Sequence, residues 1–288
     1  MDRREFLKRS LLASAGALVG GSLLVDSVSA RERGEKIIGL QLYSLRDAMK
    51  KNVPGTLKKV SNMGYTILET AGYGDGKLYG YAPAEFRKMV EDLGMQVSGA
   101  HLGSNYSKET EREVLDWWRV ALDAQAEAGC NYVVQASYPI GDQLDDIKLY
   151  CDYFNKVGEL AKARGMRFGL HNHAKEFEKR GGEVIFDYMM ANTDPNNVMF
   201  ELDVYWATKG GVDPVAYINK YLGRIPLLHI KDETAIGASG EIDFAPIFEA
   251  AYNSGMESYF VEVERYDSTP EKDVQKSYAF LNAAPYVR

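Results

Sequence analysis

The chain has 288 residues, of which 41 are acidic and 34 are basic, so its net charge is −7. This length allows one large domain or two small ones. A net-acidic chain has no electrostatic attraction for nucleic acid or for an anionic membrane, and we expect neither as a partner. The two cysteines, Cys130 and Cys151, are too few for a disulfide scaffold. We expect two buried thiols, with a single bridge between them as the alternative.

The N-terminus has the pattern of an export signal. An Arg-Arg pair at residues 3–4 precedes an apolar stretch at residues 11–25 and a small-residue cleavage site that ends at Ala30. The arginine pair resembles a twin-arginine signal. We therefore predict a signal peptide at residues 1–30, a mature domain at residues 31–288 and a periplasmic location. An uncleaved N-terminal anchor is the alternative.

A recurring pattern divides the rest of the chain: a helical stretch ends in glycine, and a short apolar run follows. Glycine suits the left-handed residue that ends a helix ahead of a strand. The glycines in this position are Gly64, Gly94, Gly129, Gly165 and Gly255. Such repetition predicts alternating β-strands and α-helices.

Eight apolar runs are predicted strands, and a helical candidate follows each. In chain order the runs are Ile37–Leu42, Tyr65–Thr70, Gln96–His101, Tyr132–Ala136, Arg167–Asn172, Val198–Asp203, Pro226–Lys231 and Ser258–Glu264. The clearest helical periodicity is at Pro83–Leu93, Lys108–Ala128 and Leu144–Arg164. Eight such units without a linker predict a single-domain (β/α)₈ TIM barrel. The competing doubly wound sheet needs a glycine-rich loop after its first strand, and residues 42–45 do not provide one.

Polar residues concentrate where the predicted strands end. In such barrels catalytic groups lie at the C-terminal ends of the strands. The residues there are Gln41, Tyr43, Glu69, His101, Gln135, His171, Asn172, His173, Glu201, Asp203, His229, Lys231, Asp232, Glu262 and Glu264. All four histidines of the chain belong to this set, which predicts an active site at the barrel mouth.

A mixture of histidine and carboxylate ligands suits a borderline divalent metal such as Mn, Zn, Fe or Co. Alternation along a strand puts His171 and His173 on one face. The preferred ligand set takes one residue from each of four strands: His171, Asp203, His229 and Glu262. The alternative for each residue alone is a hydrogen-bonded polar side chain at a strand end.

The sequence around these residues resembles the sugar phosphate isomerase/epimerase family of the xylose-isomerase-like barrel superfamily. The similar stretches are Leu40–Arg46, Leu170–Phe177, Glu201–Trp206, Leu228–Asp232 and Phe260–Glu262. The resemblance implies a xylose-isomerase-like TIM barrel. It also implies a metal held by a Glu after the fifth strand, an Asp after the sixth, a His on the seventh and a Glu on the eighth.

Asp203, His229 and Glu262 match this implied ligand set directly, but the first Glu is missing. His171 stands in its place, and Glu176 follows nearby. Either His171 is the fourth ligand, or Glu176 reaches back to the metal and leaves the histidines for proton transfer.

Other residues at the strand ends are expected to act as catalytic bases or to contact the substrate. The expected catalytic bases are His173, Glu176 and Glu262, and the expected substrate contacts are Glu69, His101, Trp206 and Lys231. Structural hydrogen bonds are the alternative for Glu69 and His101, core packing for Trp206, and an ion pair with Glu201 or Glu264 for Lys231. Trp117 and Trp118 are expected to pack in the core, and the glycine-rich loop at Tyr73–Tyr81 is expected to be a mobile lid.

The residues and the resemblance predict a divalent-metal-dependent sugar isomerase or epimerase. The proton next to a metal-bound carbonyl would be removed, giving an enediolate. The first alternative is a lyase that cleaves 3-keto-glycosides by β-elimination. The others are a non-catalytic sugar-binding barrel and a three-zinc hydrolase, for which four histidines are too few. The expected partner is a small sugar or keto-sugar, without a membrane after signal cleavage, and a homo-oligomer is compatible with the sequence.

Overall fold

Eight parallel strands close into a barrel in the computed structural model, which describes residues 36–288. The strands are β1 (Gly39–Gln41), β2 (Ile67–Thr70), β3 (Gln96–Leu102), β4 (Tyr132–Gln135), β5 (Arg167–His171), β6 (Val198–Asp203), β7 (Leu227–Lys231) and β8 (Ser258–Glu262). Each strand pairs with its chain neighbours, and β8 pairs with β1. The predicted TIM barrel is confirmed, whereas the predicted signal peptide at residues 1–30 lies outside the described residues.

Helices follow the strands on the outside of the barrel. They are α1 (Arg46–Lys51), α2 (Val53–Met63), α3 (Pro83–Glu91), α4 (Glu111–Ala128), α5 (Leu144–Lys162), α6 (Ile185–Asn192), α7 (Val204–Lys209), α8 (Pro214–Lys220), α9 (Phe244–Asn253) and α10 (Pro270–Ala283). Short 3-10 turns at Leu42–Leu45 and Ala174–Phe177 follow β1 and β5. Two-stranded hairpins follow β2 (Tyr73–Gly74 with Lys77–Leu78) and the second 3-10 turn (Lys179–Arg180 with Glu183–Val184).

The five glycines that punctuate the sequence all follow helices with a positive φ, between +73° and +105°. This left-handed conformation is cheap only for glycine, so the predicted helix ends are confirmed. The first strand is shorter than predicted because the Gln41 side-chain oxygen accepts a hydrogen bond from the Tyr43 amide and starts a 3-10 turn. The α4 helix begins at Glu111 rather than Lys108.

The barrel interior is built in layers because alternate residues of each strand point inward. Val134, Met199, Leu227 and Phe260 form an apolar cluster at the lower end. Two residues further along the strands, the inward positions become polar, and these residues form the site described below. A larger apolar core, with the fully buried Trp118 among its residues, lies between the strands and the helices.

Cys130 and Cys151 are both buried and unbridged, as expected. Among the helices of residues 36–288, none combines the length and apolarity that crossing a membrane requires.

Candidate active site

A buried quartet of metal-type ligands lies at the C-terminal ends of β5, β6, β7 and β8. It consists of His171, Asp203, His229 and Glu262, the four residues predicted from the sequence. All four side chains are at most 4% exposed. One donor atom from each residue lies within 4.8 Å of those of the other three. Strand register explains the convergence, because Asp203 pairs with His229, and Glu262 pairs with Lys231, two residues beyond His229.

The spacing of the quartet suits a divalent ion. His171 Nε2 lies 3.4 Å from Asp203 Oδ2, and His229 Nδ1 lies 3.4 Å from Glu262 Oε2. Ligands at about 2.0–2.2 Å in tetrahedral positions would be separated by roughly 3.3–3.6 Å. The two separations are therefore compatible with ligation of one ion.

Unpaired polar atoms give a second reason to expect an ion. Within residues 36–288, Asp203 Oδ2, His229 Nδ1 and both ring nitrogens of His171 are buried without a hydrogen-bond partner. Buried polar atoms are rarely left unpaired, because each costs about 1–3 kcal/mol. A divalent ion in the quartet would satisfy one such atom from each of the three residues, so the side chains present fit a metal.

The two carboxylate oxygens of Asp203 have different roles: one caps a helix and the other points to the quartet. Oδ1 accepts a hydrogen bond from the Trp206 amide at 2.8 Å and caps α7, which leaves Oδ2 for the quartet. The buried Asn172 side chain holds the same residue by its main chain. Its Oδ1 accepts from the Asp203 amide at 3.0 Å, and its Nδ2 donates to the Asp203 carbonyl at 3.3 Å. The position of this ligand is therefore fixed on both sides.

A second group of two histidines and two carboxylates lies deeper, against the other side of the His229 ring. It consists of Glu69, His101, Glu201 and His229, and its spacing also allows a metal. His229 Nε2 lies 2.7 Å from Glu69 Oε2, and His101 Nε2 lies 2.7 Å from Glu201 Oε2. These distances are those of hydrogen bonds and are short for ligands of one ion. A carboxylate on the second nitrogen of a ligating histidine orients the ring and fixes its tautomer.

Burial and neighbouring charges both shift the pKa values of this deeper group. Burial raises the pKa of Glu69 and the neighbouring Glu201 raises it further. Burial would also raise the pKa of Glu201, but the His229 and His101 rings lower it below its usual value. The pKa of His229 is well above its usual value, because nearby carboxylates, with Glu201 foremost, outweigh the effect of burial.

The pKa values of the quartet residues are shifted in different directions by burial and neighbouring charges. Burial raises the pKa of Asp203 to about 7, and the charges of Lys231 and His229 only partly oppose it. Burial and the neighbouring histidines, first His229, lower the pKa of His171 far below its usual value. Burial would raise the pKa of Glu262, but Lys231 and His229 hold it well below its usual range.

Lys231 is buried and pairs with carboxylates. Its ammonium donates to Glu262 Oε2 at 3.0 Å and to Glu264. An ion pair with Glu201 or Glu264 was the expected alternative to substrate contact, and the Glu264 pair is present. Glu201 lies two inward positions below Lys231, because its register partner is Leu227.

A cavity of about 530 Å³ opens beside the quartet. Its polar side is formed by His101, His171, His173, Glu262 and Glu264, and its aromatic side by Tyr43, Tyr73 and Trp117. Ser104, Asn105 and Ser137 add hydrogen-bonding groups from the loops after β3 and β4. The expected base His173 therefore faces the cavity, and its ring centroid lies 5.0 Å from that of His171. Burial, Lys231 and Lys175 lower the pKa of His173 to about 4.

Glu176 does not lie where a catalytic role or the fourth ligand position would need it. Its carboxylate accepts a hydrogen bond from the His173 amide at 2.8 Å, is almost fully buried and stays outside the cavity lining. Its position indicates that it stabilises the 3-10 turn at Ala174–Phe177, and His171 occupies the place in the quartet.

The four residues predicted to contact substrate differ in whether they reach the cavity. Only His101 lines the cavity, because Glu69 and Lys231 are buried behind it. Trp206 lies beside Lys231, whose ammonium is 5.3 Å from the centre of the indole ring, and is outside the cavity lining.

Trp117 is the main cavity residue that was not predicted from the sequence. It packs against the core as expected, but it also lines the cavity and contacts Tyr73 edge to face at 5.7 Å. No sequence signal separates the two, since both lie inside α4 and away from any strand end. The loop residues Ser104 and Ser137 could have been found, because loops that follow barrel strands form the mouth.

The Tyr73–Tyr81 segment contains a short hairpin that is anchored to the barrel. Leu78 is fully buried, the Tyr79 amide donates to the Gly72 carbonyl, and the Tyr79 hydroxyl accepts from the Ala71 amide. Tyr73 brings this segment to the cavity edge. Movement of the segment as a lid stays a prediction.

Known proteins resemble this chain over most of its length. It is 25% identical over 240 residues to an inosose dehydratase of Geobacillus thermodenitrificans, covering 70% of this chain and 79% of that protein. It is 37% identical to a crystal structure from Parabacteroides distasonis described as a sugar phosphate isomerase/epimerase, with a TM-score of 0.84. That match covers 88% of this chain and all of the other.

A more distant structure, the IolI protein with a bound zinc atom, has a TM-score of 0.67 at 15% identity and covers 87% of this chain and 98% of its own. At that identity the likeness concerns the fold alone. The profile of the xylose isomerase-like TIM barrel family matches residues 57–284. The chain therefore belongs to the xylose isomerase-like TIM barrel family.

Proposed function

We propose that this protein is a metal-dependent enzyme that removes the proton next to the carbonyl group of an uncharged sugar or keto-sugar. The observation that carries the proposal is the quartet itself: unpaired donor atoms of three buried residues and the Glu262 carboxylate converge beside a cavity that His173 also faces. His171, Asp203, His229 and Glu262 would hold the ion. When bound there, a divalent ion would polarise a carbonyl oxygen and stabilise the negative charge that develops on it.

The chain's own groups would do the remaining work. His173 would take the proton from the carbon beside the carbonyl, since its ring faces the cavity. Lys231 would hold Glu262 in place through its 3.0 Å contact. Glu69 would keep His229 in the tautomer that presents Nδ1 to the quartet. The apolar layer below and the buried walls would limit water at the reacting carbon.

The first candidate reaction is isomerisation or epimerisation. The proton returns to the neighbouring carbon in the first case and to the opposite face of the same carbon in the second. The 37% identity to a protein described as a sugar phosphate isomerase/epimerase supports it.

The second candidate is β-elimination, which begins with the same proton removal. As the carbon–carbon double bond forms, the bond to the oxygen on the next carbon breaks. The leaving oxygen keeps the electron pair and receives a proton, which His173 can return. Two observations favour this outcome. Several relatives at 24–29% identity are named inosose dehydratases. His171 stands where the resemblance implied the first glutamate, which leaves His173 as the base that faces the cavity.

Deuterium exchange followed by NMR tests the proposal. The protein is incubated in D₂O with added Mn²⁺ and a panel of ketoses and 3-keto-glycosides. Exchange with rearrangement identifies an isomerase or epimerase, and exchange with release of the aglycone identifies a lyase. Sugar binding without exchange would refute the proposal and indicate a non-catalytic barrel.

Variants then test the residues. His229→Ala and Glu262→Ala should lose both bound metal and exchange, with metal content measured by atomic emission after dialysis. Asn155→Ala is a control, because that side chain is remote from the quartet and its hydrogen bonds go to the Asn192 carbonyl at the end of α6 and the Asp194 amide just beyond it. Full exchange in His229→Ala would show that the quartet is not the site.

Export is proposed on the N-terminal motif alone. Replacing the arginine pair at residues 3–4 by two lysines should keep the protein in the cytoplasm of a bacterium with a twin-arginine pathway, as measured by fractionation. Unchanged export would contradict that route.

A further inference from the structure

The charge of the cavity lining limits what it can hold. Among residues 36–288 the lining contains no lysine and no arginine, and its ionisable groups, apart from two tyrosines, are three histidines, Glu262 and Glu264. The Lys231 ammonium is buried and already contacts both carboxylates. The Arg46 guanidinium, beside Tyr43, already donates to Tyr266 and to the Glu264 carbonyl. A phosphate group, which carries close to two negative charges and is normally bound by cations or backbone amides, would face carboxylates here. The lining therefore favours an uncharged ligand.

The size of the cavity exceeds what the quartet needs. Its volume of about 530 Å³ is in the range of sites that enclose drug-sized ligands, roughly 300–1,000 Å³. A single sugar ring beside the quartet would fill only part of that volume. Because the lining also includes Tyr73 and Trp117, the cavity suits a ligand with two parts.

The aromatic end is a formed wall. Tyr73 and Trp117 contact each other edge to face at 5.7 Å, and both are partly buried. The hairpin that carries Tyr73 is held by the buried Leu78 and by the hydrogen bonds of Tyr79. On the other side, Trp117 is continuous with the core through Trp118, with ring centroids 5.1 Å apart. Such a wall offers flat apolar area without a rearrangement of the chain.

We propose that the cavity binds a neutral glycoside, with its sugar ring at the quartet and an uncharged aromatic or sugar aglycone against Tyr73 and Trp117. This inference rests on the proposed function, because it assigns the substrate class of the same site. Ser104, Asn105 and Ser137 also line the cavity and would supply hydrogen bonds to hydroxyl groups or to the linking oxygen.

Binding measurements test this assignment without any turnover. Isothermal titration calorimetry compares glucose, glucose 6-phosphate, and phenyl α- and β-glucosides with the Mn²⁺-loaded protein. We expect one phenyl glucoside to bind about threefold to tenfold more tightly than glucose, the gain expected of one ring–ring contact. Glucose 6-phosphate should bind no better than glucose.

Variants of the wall complete the test. Trp117→Ala should remove the gain of the phenyl glucoside and leave the affinity for glucose unchanged, and Trp117→Phe should retain part of it. Val120→Ala is the matched control, since this residue lies on the same helix and is 59% exposed. A phenyl gain that persists in Trp117→Ala, tighter binding of the sugar phosphate, or no phenyl gain in the unaltered protein would overturn the proposal.

The experiments distinguish failure of the proposed reaction from failure of the glycoside assignment. A phenyl gain that depends on Trp117, together with no deuterium exchange for any substrate, would leave the binding assignment intact and refute the reaction. Exchange without a phenyl gain would refute the glycoside assignment and leave the reaction intact.

Discussion

Removing the Asn172 side chain should destabilise the barrel at the point where Asp203, the quartet residue of β6, is held. Asn172→Ala would delete both hydrogen bonds to the Asp203 main chain and leave the buried Asp203 amide unpaired, while the Asp203 carbonyl, at the N-cap of α7, keeps the first bond of that helix. A buried unpaired group costs about 1–3 kcal/mol, and a lost hydrogen bond whose acceptor keeps another partner costs about 0.5–1.5 kcal/mol. Together, with partial relaxation, these predict a loss of about 2–4 kcal/mol in the free energy of unfolding.

Urea denaturation at neutral pH measures this loss. With a urea dependence of about 3 kcal/mol per molar, near the upper end for small proteins, the midpoint should fall by roughly 1 M. Asn155→Ala is a matched control: its side chain also accepts from one amide, of Asp194, and donates to one carbonyl, of Asn192. These bonds are more exposed, so water can replace them, and the loss should stay below about 1 kcal/mol.

Metal affinity gives a second measurement on the same variant. Because Asn172 positions Asp203, its removal should weaken binding of Mn²⁺ or Zn²⁺ by about 10–100-fold, the usual effect of losing a residue that orients a ligand. If Asn172→Ala lost no more stability than Asn155→Ala and bound metal normally, the reasoning about the clamp would be refuted.

Two further predictions concern packing and pH. Gly99→Ala would place a Cβ 2.9 Å from Glu69 Oε1, so we expect the free energy of unfolding, measured by urea denaturation, to fall by about 1–3 kcal/mol. Gly103→Ala is the control and should be nearly neutral, because its Cβ would lie 3.6 Å from the nearest atom. Equal losses in the two variants would contradict the close approach at Gly99. Hydrogen bonds, chiefly from the Ser268 amide, outweigh burial and lower the pKa of Asp273 from 3.8 to about 2. Its carboxylate therefore contributes about 2 kcal/mol above pH 4, of which about 1 kcal/mol is lost between pH 5 and pH 3. The difference in free energy of unfolding between the native protein and Asp273→Asn should therefore decrease between pH 5 and pH 3. A difference that stays constant over this range would exclude the linkage.

The sequence was sufficient to predict the barrel and the quartet because both follow from local rules. Glycines mark the helix ends, and the period of two along a strand decides which side chains point inward. His171, Asp203 and Glu262 each end a strand and His229 lies two residues before the end of β7, so one rule about barrel mouths selects them.

Other features depend on distances that the sequence does not contain. The stagger between β6 and β7 puts Glu201 beside the histidines instead of Lys231. Glu176 lies only five residues after His171, yet a 3-10 turn directs its carboxylate to the main chain. Trp117 reaches the cavity because of how α4 is placed after a long loop, which no periodicity records.

The apolar layer of Val134, Met199, Leu227 and Phe260 has a consequence for the order of events at the site. It closes the barrel beneath the quartet, so within residues 36–288 the cavity communicates with solvent at the mouth. Substrate and product must then share one passage, and a product at the quartet blocks the next arrival. Inhibition by product should be competitive with substrate. Where a reaction yields two fragments, the one against the aromatic wall should depart before the one at the quartet.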